Sequence, residues 1–144
     1  MDLILLPLLF AAIDADTFTG KVIAVKDGDS IVVLRDQEQI EIRMLDIDCP
    51  ELAQAFGRQA KKQTSDLCFG KSVTVKANGK DRYDRTLAHV ILPSGKELNR
   101  ELVKSGLAWW YRKYSDDESL GKLEADAKKS KRGLWAAQKP VAPW

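Results

Sequence analysis

Three short runs rich in valine and isoleucine, residues 18–25, 30–34 and 40–47, follow one another with only a few polar residues between them. Runs of this length with partial apolar alternation read as strands, not helices. The links are DGD at 27–29 and RDQE at 35–38. Gly28 can take a positive φ and aspartate tolerates turn geometry, so both links suit tight reversals. Three consecutive antiparallel strands are therefore predicted, and Pro50 stops the third.

The rest of the chain supplies helices and two more strands. Residues 53–69 read as a helix, with Ala53, Phe56, Ala60, Thr64 and Leu67 near one face and Gly70 at its end. Residues 72–77 and 87–92 form a second strand pair joined by the polar loop NGKDRYDR. Residues 97–105 read as a short helix with Leu98, Leu102 and Val103 inward and Gly106 as its stop. The aromatic cluster Trp109, Trp110, Tyr111 and Tyr114 reads as core before it reads as a base-stacking platform. Residues 116–131 open with acids and close with KKSKR, the polarity that suits a helix dipole. Five short strands with helices between and after them predict an α+β protein, a five-stranded, partly open OB-fold β-barrel with three helices.

At 144 residues the chain fits one domain. The expected division is an apolar segment at 1–15, a folded domain at 16–136 and a tail at 137–144. Residues 3–13, LILLPLLFAAI, are too short to span a bilayer as a helix and fit the h-region of an export signal, although no lysine or arginine precedes them. A secreted or periplasmic protein without stable membrane insertion is the expectation. Net charge is only +2, so a polyanion has to be gripped by locally placed cations. Cys49 and Cys68 form no CxxC pair and His89 is the sole histidine, which excludes a Cys/His zinc set. The two cysteines read as separately placed thiols.

The chemistry concentrates between Asp27 and Glu51. Phosphodiester cleavage needs charge neutralised on the non-bridging oxygens, a positioned nucleophile and help for the leaving oxygen. Asp29 and Asp48 are suited to hold Ca²⁺ or Mg²⁺, because hard cations take oxygen ligands. Glu51, just past Pro50, can orient or deprotonate a water. Arg43 and the distant Arg85 can fork onto one phosphate. Arg43 stands five residues before Asp48, which on an ideal strand puts the two on opposite faces; a bend near residues 46–50 is required. Asp46 has no assigned part.

Five segments, VKDGDSIVV, IRMLDIDCPE, DRYDRTLAHV, NRELVKSGLAWWY and LEADAKKSKRGLW, occur in an order and spacing that resemble the thermonuclease (staphylococcal nuclease) family over residues 17–135. The resemblance implies an OB-fold barrel with three helices and a Ca²⁺-dependent endonuclease acting on DNA and RNA, sequence-nonspecific and leaving 3'-phosphates. It implies Ca²⁺ carboxylates at Asp29 and Asp48, a main-chain carbonyl ligand at Cys49, catalytic arginines at Arg43 and Arg85, and a water-orienting glutamate at Glu51. Substrate contacts fall on Arg82, Tyr83 and Tyr114, with DNA and RNA as the partners of a monomer.

Three departures stand out. Cys49 replaces the threonine frequent in the family, Asp84 stands where its best-known member has glycine, and the loop before the first helix is shorter. The competing reading is a noncatalytic single-stranded nucleic-acid-binding OB-fold module, and a protein-interaction domain is the third. A binding module has no need of metal carboxylates that repel phosphate, which favours the enzyme.

Overall fold

The computed structural model describes residues 16–144; the apolar run expected to direct export lies outside them. Strands β1 (Thr17–Asp27), β2 (Ser30–Arg35) and β3 (Glu38–Met44) form the expected antiparallel meander. Strand β4 is a two-residue piece, Ile47–Asp48. Strands β5 (Ser72–Lys80) and β6 (Thr86–Ile91) pair antiparallel, and β5 also pairs antiparallel with β1. The order β1-β2-β3-β6-β5 closes on itself, so the expected partly open barrel is a closed one. Closure depends on one parallel seam, where Ile42, Arg43 and Met44 of β3 lie opposite Thr86, Leu87 and Ala88 of β6.

Alternation decides what lies inside. Ile42 and Met44 of β3 are buried while Arg43 between them turns outward, as period-two geometry requires. Val22, Ile31, Val33, Val73, Val75 and Val90 complete the interior from the other strands. These β-branched side chains suit a pleated surface, and each buried one stabilises the fold by about 1.5–3 kcal/mol.

Helix α1 (Gly57–Cys68) packs on β1 through buried Ala60, Thr64 and Cys68. It begins four residues later than the sequence predicts. Phe56 has φ 68°, outside any helix, and residues 51–56 turn tightly against the helix start. A Cβ on Gly57 would lie 2.0 Å from the Glu51 carbonyl oxygen, so only glycine lets the chain double back there.

Helix α2 (Leu98–Lys104) sits between α1, α3 and β6 and buries Leu98, Leu102 and Val103 as expected. Helix α3 (Glu118–Lys129) is shorter at both ends than the acidic-to-basic run suggested. Asp117 caps it, accepting from the Ser119 amide at 3.1 Å. Strand β7 (Trp109–Trp110) pairs with β4, and a 3-10 turn at Gly133–Ala136 follows α3. The carboxylate of Glu124 is 2% exposed, yet it is fully partnered by the Trp110 amide, Arg112 and Lys128, and so ties α3 to β7. Both cysteines are free and buried, in keeping with separate thiols. Among the described residues no helix is long and apolar enough to cross a membrane.

Candidate active site

The turn between β1 and β2 is built to hold a carboxylate. Gly28 packs where a Cβ would meet the Cys49 Sγ and Ala60 Cβ at 2.8 Å, and its carbonyl accepts from Thr64 Oγ1 at 2.6 Å. Helix α1 thereby clamps the turn. The next residue, Asp29, is 6% exposed; its carbonyl accepts from the Met44 amide and its Oδ2 accepts from the Cys49 amide at 2.7 Å. The Cys49 side chain thus has a packing role against Gly28, and burial pushes its thiol well above the ordinary range.

The bend demanded by the Arg43–Asp48 spacing is present, centred on residues 45–46. Asp46 takes φ 69°. Its Oδ2 meets His89 Nε2 at 2.7 Å, and its carbonyl accepts from the Tyr111 amide at 2.9 Å. Asn99, buried on α2, donates to the Leu45 carbonyl at 2.9 Å. Asp46, without a part in the sequence reading, is the residue that reverses the chain. The reversal leaves the Met44 and Ile47 carbonyls facing Arg43, whose Nη1 donates to them at 2.6 and 3.0 Å.

Arg43 Nη2 then bridges the two acids, 3.1 Å from Asp48 Oδ1 and 3.4 Å from Asp29 Oδ2. The N–H donors of Arg43 and Cys49 fall on Asp48 Oδ1 and Asp29 Oδ2. Asp27 crowds the same corner: desolvation by burial and the neighbouring Asp29 push its carboxyl up to about 7. Desolvation also raises Asp48, opposed by Arg43. One guanidinium therefore leaves an excess of negative charge among half-buried hard oxygens. Among the described residues no three His, Cys, Asp or Glu side chains converge at ligand spacing; a cation at this corner would have two carboxylates as side-chain ligands and would take the others from main-chain oxygen and water. That donor set fits a hard divalent cation.

A cleft of about 670 Å³ opens beside this corner, lined by Arg43, Asp46 and Asp48 together with Asp81, Arg82, Tyr83 and Arg85. Tyr111 and Tyr114 line it as well. Arg85 is held by Asp81, which accepts from its amide at 2.9 Å and from its Nε at 2.8 Å. Its two terminal nitrogens keep no partner among the described residues. Despite some desolvation, the hydrogen bonds from Arg85 and Tyr83 hold the Asp81 carboxyl below the usual range. Asp84, flagged as a charge beside Arg85, adopts φ 65° and turns to Lys80 at 3.2 Å. That left-handed backbone is one that glycine adopts without strain.

The structure thus gathers Asp29, Arg43, Asp48 and the Cys49 main chain in one corner, with Arg82, Tyr83, Arg85 and Tyr114 around the same cleft. It does not bring the Glu51 carboxylate into contact with them. Glu51 is exposed; its amide donates to Gln54 Oε1 and its carbonyl accepts from the Gln54 amide, although its charge reaches Asp48. Two residues that the sequence reading gave no part in the site belong to it: Asp81, which orients Arg85, and His89, which holds Asp46; Tyr111, read as core before stacking platform, lines the cleft. The signal available for His89 was its place on β6, a few residues after Arg85.

Comparison with known proteins places these residues in a wider set. An Escherichia coli O157:H7 protein described as an uncharacterized endonuclease is 41% identical over 125 residues, covering 87% of this chain and 82% of its own. A Haemophilus influenzae protein of the same description is 38% identical over 142 residues, covering 98% and 79%. A Shigella flexneri protein named micrococcal nuclease is 37% identical over 137 residues, covering 88% and 79%. The staphylococcal nuclease homologue family matches residues 41–137, which span the bend, α1, the Arg85 loop and α3. With identity of this extent across the barrel and the cleft, the chain belongs to the staphylococcal nuclease homologue family.

Proposed function

We propose that the chain is a Ca²⁺-dependent, sequence-nonspecific endonuclease that hydrolyses phosphodiesters of DNA and RNA and leaves 3'-phosphates. The observation that carries this reading is the corner where Arg43 Nη2 lies within 3.4 Å of both Asp29 and Asp48, beside a cleft that Arg43, Asp48 and Arg85 line together. A noncatalytic binding surface gains nothing from half-buried carboxylates that repel phosphate.

Asp29, Asp48 and the Cys49 carbonyl would hold the cation, which supplies charge neutralisation at the phosphate oxygens. Arg43 and Arg85 bind the same phosphate from two sides, and the fork geometry of guanidinium suits the charge that grows in the transition state. Glu51, free at the rim, takes a proton from the attacking water. The water oxygen bonds to phosphorus as the bond to the 5' oxygen breaks, that oxygen takes a proton from solvent, and the phosphate stays on the 3' side. Arg82, Tyr83 and Tyr114 grip the flanking nucleotides. Residues 3–13 mark the chain for export, and it works as a monomer.

The test is an assay on single-stranded DNA and RNA with a metal panel and end-group analysis. Ca²⁺ yields fragments ending in 3'-phosphate, chelator stops the reaction, and Glu51→Ala slows it by about 10²-fold or more at unchanged melting temperature. Intact nucleic acid after incubation with Ca²⁺ rules the reading out, and binding without cleavage hands the chain to the noncatalytic alternative.

A further inference from the structure

Beside the cleft the aromatic rings do not end at Tyr114. Tyr114 meets Tyr111 edge-on at 4.9 Å, and Trp144 stacks on Tyr111 at 5.1 Å and 17°. Trp144 meets Trp109 at 5.5 Å, and Trp109 meets Trp135 at 4.7 Å, both edge-on. Lys128 Nζ stands 4.7 Å over the Trp135 ring at the far end. The five rings form one unbroken row from the cleft to the basic end of α3.

This row is not a sealed core. Tyr114 is 70% exposed and Trp144 57%, and both belong to the small set of large apolar side chains left open to solvent. The indole N–H groups of Trp109 and Trp135 are buried without any acceptor among the described residues. Buried tryptophans chosen for cohesion normally find a partner for that group, and leucine or phenylalanine would fill the space without the loss. Cations flank the row at both ends: Lys113 lies 5.6 Å over Tyr114, and Lys128 over Trp135. The exposed Tyr114 and Trp144 rings, with Lys113 at the cleft end of the row, are continuous with a phosphate-gripping cleft and match the chemistry of a nucleic-acid single strand: π-faces for its bases and positive charge for its backbone. A flat apolar partner would leave Lys113 idle.

We infer that the row from Tyr111 through Trp144 to Trp135 is a stacking track for a single strand, which carries the nucleotides running outward from the cleft. This rests on the nuclease reading for the location of the scissile phosphate, but its own evidence is the row. Trp144 is the exposed step between cleft and basic end, and losing its ring breaks the track. Double-stranded nucleic acid, whose bases face each other, cannot use it.

The experiment measures binding in chelator, so no cleavage intervenes, by anisotropy of labelled oligonucleotides and by quenching of tryptophan fluorescence. Probes are a single-stranded trinucleotide, a single-stranded 15-mer and the same 15-mer carrying an abasic stretch. Trp144→Leu keeps an apolar cover without an aromatic face, and Trp144→Phe restores a face. The expected result is a loss of roughly 10-fold in 15-mer affinity for Trp144→Leu, largely regained in Trp144→Phe, with the trinucleotide changed less than twofold and the abasic 15-mer bound weakly by all. Equal losses at both lengths, no loss on the 15-mer, or equal binding of the abasic probe overturns the track. If the wild-type chain binds as expected but cuts nothing in Ca²⁺, the nuclease reading fails and the track stands. If it cuts and Trp144→Leu binds like wild type, the reverse holds.

Discussion

Arg43 does two jobs with one guanidinium. Its Nη1 bonds to the Met44 and Ile47 carbonyls and fixes the bend, while Nη2 lies against Asp48 and Asp29. A lysine is a point charge without a fork and can satisfy only part of this set. Arg43→Lys is expected to lose about 1–3 kcal/mol of stability in urea unfolding and about 10²-fold in cleavage; an unchanged unfolding midpoint would show that the bend holds itself. The residues of this corner, and Arg85 with them, were legible as types in the sequence. Their convergence was not, because strand periodicity sets Arg43 and Asp48 on opposite faces and only the left-handed Asp46, tethered to His89, undoes that. The Cys49 side chain had no reading from sequence because its neighbour across space, Gly28, is distant along the chain.

Strands and helices existed where patterning put them, and their ends moved where local sterics overrode pattern. Helix α1 loses its first turn because the chain folds back onto Gly57, a contact that amphipathic spacing cannot register. Helix α3 starts at the residue after its cap, not at the first acid. Asp117 supplies that cap, and the hydrogen bonds from Ser119 hold its carboxyl below the usual range. A lowered folded-state value means that the ionised cap stabilises above the ordinary aspartate value near 3.8, and that the contribution disappears as pH falls through the folded one. Asp117→Ala is therefore expected to cost about 1 kcal/mol at pH 7. The gap between variant and wild type, read from urea titrations, should narrow toward pH 3; a gap independent of pH would deny the carboxylate that part.

At the level of the whole molecule, the class, the strand count and the three helices were legible, since each follows from patterns that run along the chain. What pairs across the chain was not: neither the closure of the barrel nor the parallel match of β3 with β6 leaves a mark in local periodicity. Strand β7, two tryptophans long, was hidden for the same reason. That seam sets a clock. It joins the meander to a strand that follows a helix and another strand, so its loop must close before the pairing rewards it, and such non-local contacts are slow to form. Arg43 lies in the seam and Arg85 at its edge. Catalytic competence therefore arrives with the last slow step of refolding and never ahead of it: after dilution from urea, the recovery of cleavage should follow the slowest phase seen by circular dichroism, and cleavage that returns earlier would contradict the sequence of events. Until the barrel shuts, Arg43 and Arg85 have no common site to act in.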